Sequence, residues 1–146
     1  AGAVMGKIEQ CLQELGYAIV PVQGTSMWPL LREKKSWVEV TIRDDTPLTS
    51  ETVVLYRREN GQLVLHRIIR VENDGTYWVC GDHQWKLEER IREEQILAVA
   101  RTFSRNGYLI DAHTKWYRLY QLLWNRNLTV RRCCLALLRL IGLEDW

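Results

Sequence analysis

Nothing in this chain approaches the roughly 18 consecutive apolar residues of a membrane-crossing helix, and no basic stretch followed by an apolar run opens it as a secretory leader would. Cysteine is sparse: Cys11, Cys80, Cys133 and Cys134 are the four among 146 residues. They show neither Cys-x-x-Cys spacing nor a histidine at a metal-ligand interval, which argues against the common zinc and redox motifs. Reduced, buried or half-buried thiols in a cytosolic compartment are expected. A strong charge of one sign is also missing. The formal net charge is +2, so the whole molecule has no electrostatic pull on nucleic acid, and no nucleic-acid partner is expected. The sequence has no internal repeat and no low-complexity tract, and neither a metal nor a cofactor is expected.

What is present is one domain's length of ordinary composition. With 47% hydrophobic and 26% charged residues, it can bury a real core. The basic excess is local. From Lys115 to the end, Lys115, Arg118, Arg126, Arg131, Arg132 and Arg139 face only Glu144 and Asp145.

Ile8, Cys11, Leu12 and Leu15 fall at helical spacing, with Gly16 as a stop. Tyr17 to Val22 reads as a strand. Ser36 to Ile42 alternates Val38, Val40 and Ile42 against Trp37, Glu39 and Thr41, the period of a strand with one apolar face. Val53 to Arg58 and Leu63 to Val71 flank Asn60-Gly61, a hairpin signal. Asn73-Asp74-Gly75 turns the chain into Thr76 to Cys80, and 81–92 reads as a polar loop. Ile96 to Phe103 and Tyr108 to Ile110 flank Asn106-Gly107 as a last hairpin. From His113 the pattern becomes helical: Trp116, Tyr117, Leu119, Tyr120, Leu123 and Trp124 form one face, and 128–143 is a more basic amphipathic segment. The expected fold is mainly β, a small antiparallel β-domain over 17–111. An N-terminal helix over 1–16 and C-terminal amphipathic helices over 112–146, packed on the domain, flank it.

Three residues carry chemistry. Ser26 lies in the tight turn Gly24-Thr25-Ser26-Met27-Trp28-Pro29, His66 lies in a strand pattern on the face of Val64 and Ile68, and Asp82 follows Gly81. A serine hydroxyl needs a neighbouring base to attack an amide, imidazole titrates near working pH, and a carboxylate behind the ring fixes its tautomer. Each also has a plainer use: Ser26 could cap a short helix, His66 could be a satisfied core histidine, and Asp82 could fasten its loop through backbone N–H groups.

The same pieces resemble the type I signal peptidase superfamily, which includes the self-cleaving repressors of the bacterial SOS response. Ser26-Met27-Trp28-Pro29 matches its Ser-Met-x-Pro box. Leu65-His66-Arg67-Ile68, after the apolar run Val53-Val54-Leu55-Tyr56, is similar to the histidine-base branch of the endoplasmic reticulum, archaea and some Gram-positive bacteria. Gly81-Asp82-His83 resembles the Gly-Asp-Asn box, with His83 in place of asparagine. The likeness spans roughly Val20 to Thr102. It implies a serine endopeptidase that cleaves a precursor, leader or signal-like peptide, with Ser26 as nucleophile, His66 as base and Asp82 as orienting acid. The endoplasmic-reticulum branch places its acid further on, where this chain offers Glu88. The backbone N–H of Ser26 is the natural oxyanion donor. Some members add a hydroxyl where this chain has Gly24, leaving Thr25 as the side-chain donor nearby. Substrate would lie as an added strand along Val22, Gly24 and Met27, with a small residue before the cut.

The family's ordinary members carry a membrane anchor before the serine box; none is visible here, and the expectation is an unanchored, cytoplasmic form. The basic C-terminal helix is its candidate for peripheral contact with the inner face of a membrane. The expected partner is a peptide or protein substrate. A non-catalytic peptide-binding or scaffold module of the same fold is the alternative, supported by Gly24, His83 and the missing anchor. An ordinary imidazole base would place the rise of activity at about pH 6 to 7.

Overall fold

The computed structural model describes residues 2–125 and 128–141. The fold is mainly antiparallel β, as expected, with an N-terminal helix and C-terminal helices. Helix α1 (Gly2–Leu15) ends where Gly16 adopts a φ of 78° and donates its N–H to the Leu12 carbonyl, a conformation glycine takes without penalty. Leu12 is buried under the sheet and Ile8 and Cys11 pack beside it. Leu15, expected on the same face, is exposed.

Eight strands follow: β1 (Tyr17–Pro21), β2 (Ser36–Ile42), β3 (Val53–Arg57), β4 (Leu63–Val71), β5 (Tyr77–Cys80), β6 (Glu88–Ile91), β7 (Ile96–Arg105) and β8 (Tyr108–Asp111). They order as β1-β2-β7-β3-β4-β5-β6, with β8 also on β7. Strand β7 organises the sheet: β2 pairs along one edge, while β3 and β8 pair with successive stretches of β7. Strand β3 has a core on both faces, which explains why Val53-Val54-Leu55-Tyr56 reads as an unbroken apolar run and not an alternation. Val53 and Leu55 join one cluster with Leu12, Val38, Val40 and Phe103, while Val54 and Tyr56 join the other with Ile68, Val79 and Ile91.

The hairpins form at Asn60-Gly61, Asn73-Asp74-Gly75 and Asn106-Gly107. At the second, the Asp74 carboxylate accepts from both the N–H and the hydroxyl of Thr76, the side-chain turn that favours Asp there. The expected polar loop over 81–92 departs from expectation, because it contains β6. Its sequence Glu-Glu-Arg-Ile buries only Ile91, so an edge strand paired with β5 alone left no hydrophobic alternation to read.

Helix α2 (Lys115–Tyr120) is capped by the Thr114 hydroxyl accepting from the Tyr117 N–H. It runs into a π-helical turn (Gln121–Asn125), and α3 (Leu128–Leu140) follows. The segment expected over 128–143 is described as far as Ile141; its last residues lie outside the described ones. Tyr117 is buried and Tyr120 and Trp124 are half-buried, whereas Trp116, Leu119 and Leu123 of the same expected face are exposed. Leu135 of the basic amphipathic segment is buried, and so is its Arg131. Cys133 is exposed, unlike the other three thiols. No helix among the described residues is long and apolar enough to cross a membrane.

Candidate active site

The serine turn leaves β1 at Val22, whose N–H and carbonyl pair with Ser36 and Lys34. Gly24 takes a φ of 72°, and Pro29 follows a cis peptide bond. The Thr25 carbonyl then accepts from Trp28 and that of Met27 from Leu31, with Met27, Trp28 and Leu30 buried beneath. This buried apolar foot holds the half-exposed Ser26 at the rim of a 390 Å³ cleft. One wall of the cleft is Val20 to Gln23 with Ser26 and Met27; the other is Leu63 to His66 of β4, with Ile8, Leu55 and Gln84 closing the ends. Ser26 and His66 therefore open onto one space, and Val22 and Met27 line it as expected. Gly24 and Thr25 are not among its lining residues.

Both backbone walls have open edges. Strand β1 ends the sheet order, and β4 begins its pairing with β5 only at Arg67, so Leu63 to His66 pair on the β3 side alone. An extended peptide laid in the cleft would meet unpaired backbone on either side.

His66 is buried, and its register opposite Val54 turns the ring toward the second core, as the alternation along β4 predicts. The Tyr56 hydroxyl lies 3.2 Å from His66 Nδ1 and donates to Glu88 Oε2 at 2.8 Å. Tyrosine has one hydroxyl proton; spent on Glu88, it leaves the oxygen to accept from Nδ1–H. A neutral ring then carries no proton on Nε2. That free nitrogen faces the serine turn: a Cβ built on Gly81 would sit 3.1 Å from His66 Nε2 and closer to the Ser26 carbonyl oxygen than real Cβ atoms come. Only glycine fits between them.

The carboxylate on the far side of the ring is Glu88, not Asp82. Glu88 Oε1 is 3.7 Å from His66 Nδ1, and Arg58 grips the carboxylate through Nε at 3.1 Å and through its terminal nitrogen. Burial works to raise the Glu88 carboxyl, but the hydrogen bonds from Arg58 and Tyr56 outweigh it and the group stays below its usual range. Burial, followed by Glu88, holds the Tyr56 phenol protonated, far above its ordinary value. Burial also lowers the His66 imidazole from 6.5 to about 4, with Glu88 pulling only part of the way back. The ring is thus neutral at pH 7, the form a base requires.

Asp82, expected to orient the ring, is corrected by its surroundings. It is fully buried in a two-point ion pair with Arg67, both bonds at 2.9 Å, and accepts from the Tyr120 hydroxyl at 2.7 Å. Arg67, equally buried, also donates to the Tyr117 hydroxyl and to the Glu51 carbonyl. With these partners Asp82 fastens the Gly81–Gln84 turn to the C-terminal helices. Trp124 Nε1 donates to the Asp82 carbonyl at 2.8 Å, and Arg131 donates to the carbonyls of Gly81 and Gln84, each at 3.0 Å. The turn in turn holds the serine: the His83 N–H donates to the Ser26 carbonyl at 2.8 Å, and the His83 ring meets Trp28 edge to face at 5.2 Å.

Sequence reading missed Tyr56, Arg58 and Arg131. Tyr56 ended an apolar run and Arg58 preceded a turn, so nothing marked them. A buried position for an arginine in a basic helix carries no local signal at all. Among the described residues no three His, Cys, Asp or Glu side chains gather as metal ligands. Compared with known proteins, the chain matches no family model, no curated relative and no solved structure.

Proposed function

We propose that this chain is a serine endopeptidase in which Ser26 attacks a peptide carbonyl while His66 Nε2 takes its proton. The observation that carries this reading is the pairing of a serine and a neutral, directionally hydrogen-bonded histidine on one cleft, with the unprotonated ring nitrogen turned to the serine turn. As the imidazolium forms, Nδ1–H stays bonded to Tyr56, and Glu88 stabilises the charge through that hydroxyl and across 3.7 Å. The proton passes to the leaving amine, an ester remains on Ser26, and water activated by His66 hydrolyses it. The Ser26 N–H supplies one oxyanion donor.

The open edges of β1 and of Leu63 to His66 favour an extended segment of a precursor, leader or signal-like peptide, and the apolar lining by Val22, Met27 and Leu55 favours a small apolar residue beside the cut. The test is cleavage of a mixed-sequence peptide library read by mass spectrometry. Wild type should cut, and Ser26→Ala and His66→Ala should each abolish cutting while remaining folded. Unchanged cleavage in either variant removes that residue from the mechanism. An intact library with every form would restore the non-catalytic peptide-binding alternative.

A further inference from the structure

Along the C-terminal helices, large apolar side chains stand exposed among the described residues. On α3, Val130, Leu137 and Leu140 recur on the side away from the buried Arg131 and Leu135, with Leu137 59% and Leu140 84% exposed, and Ile141 just beyond the helix is exposed too. On α2 and its π-helical continuation, Trp116 and Leu123 are 81% and 65% exposed, while Tyr117 points inward. A helix that is apolar on its inner and outer sides alike is normally enclosed, and clustered large apolar residues at a surface mark a contact site.

Charge indicates what the contact is. No Asp or Glu occurs between Asp111 and Glu144, while Lys115, Arg118, Arg132 and Arg139 are exposed along the same two helices. We propose that this face docks on an anionic lipid surface. The leucines and Trp116 enter the boundary between headgroups and acyl chains, and the cations meet headgroup phosphates. The apolar residues stand on the outward sides of two helices, with cations spread along both, which is the arrangement of helices lying in an interface plane. A protein groove would instead take a single stripe of anchors. The proposal is independent of the peptidase reading.

The test is co-sedimentation of the full chain with vesicles of equal phosphatidylglycerol and phosphatidylcholine, or of phosphatidylcholine alone, at about 0.05 M and about 0.5 M salt. Wild type should pellet with the anionic vesicles at low salt and lose at least about tenfold in partitioning at high salt, since each surface cation contributes about fivefold. Leu137→Glu with Leu140→Glu, at exposed positions that leave the fold intact by circular dichroism, should lose at least about tenfold at low salt. Arg118→Glu with Arg132→Glu should do the same. The proposal falls if wild type ignores anionic vesicles, binds neutral ones equally well, or binds undiminished after the leucine changes. A wild-type dimer that the leucine changes dissociate, with no vesicle binding, would put a second copy on this face. Binding to polyglutamate but not to vesicles would put an acidic protein there.

Discussion

At the scale of residues, two carboxylates near one histidine are held by different partners, and their surroundings separate them. Asp82 has both oxygens committed to Arg67 and sits where no water reaches, so Asp82→Asn strands a buried guanidinium. We expect a loss of about 3–5 kcal/mol, read as a lowered urea midpoint. Glu88 is partly exposed and bonded to Tyr56 and Arg58. Glu88→Gln should cost stability little and slow peptide cleavage by about 100-fold or more, because the charge facing the imidazolium is gone. Tyr56→Phe should slow it similarly by breaking the bond at Nδ1. A Glu88→Gln enzyme of normal rate, or an Asp82→Asn protein of normal stability, would reverse the two assignments. That Ser26 and His66 deserve to be looked at together was legible because each sits in a short pattern with its own chemistry, and they do open onto one cleft. Asp82 and Glu88 stood side by side as candidates for the carboxylate near the ring, since a strand so charged as Glu88–Ile91 reads as loop and the choice between them depends on which strand lies behind the ring.

At the scale of elements, the C-terminal helices are part of what holds the serine. Arg131 reaches from α3 to two carbonyls of the Gly81–Gln84 turn, and that turn's His83 N–H holds the Ser26 carbonyl. Arg131→Ala should strip the Gln84 carbonyl of its guanidinium donor and leave the Gly81 carbonyl with the Gln84 N–H alone, destabilise the protein by about 1–3 kcal/mol and lower kcat more than it raises KM. Normal kcat in a folded Arg131→Ala protein would show that the turn keeps its place unaided. The hairpins were readable from Asn-Gly and Asn-Asp-Gly because those turns demand backbone conformations few residues adopt. Helix existence was readable from periodicity. Which helix face points inward was not, because Tyr117, Tyr120, Trp124 and Arg131 are drawn in by Arg67, Asp82 and backbone carbonyls of a distant turn, and hydrophobic spacing carries no record of those partners.

At the scale of the whole molecule, the buried histidine couples pH to folding and, in the proposed mechanism, to peptide cleavage. Its imidazole falls from 6.5 to about 4 on folding, so between those values the unfolded chain takes up a proton that the folded one refuses. The contribution is fully present above pH 6.5 and is lost as pH falls toward 4. It amounts to something on the order of 3 kcal/mol. Urea midpoints at neutral and mildly acid pH should differ accordingly, and His66→Phe should flatten the difference. For the same reason the acid limb of kcat/KM should lie below the range of an ordinary imidazole, which the sequence alone suggested. A limb at or above about pH 6.5 would mean that His66 is hydrated in solution or is not the base.

The most direct measurement is labelling by a fluorophosphonate, which phosphonylates only an activated serine. Intact mass and peptide mapping should find one adduct, on Ser26, in wild type at pH 7. There should be none in Ser26→Ala and almost none in His66→Ala. No adduct on wild type, an adduct on another residue, or labelling of His66→Ala at the wild-type rate would contradict the account.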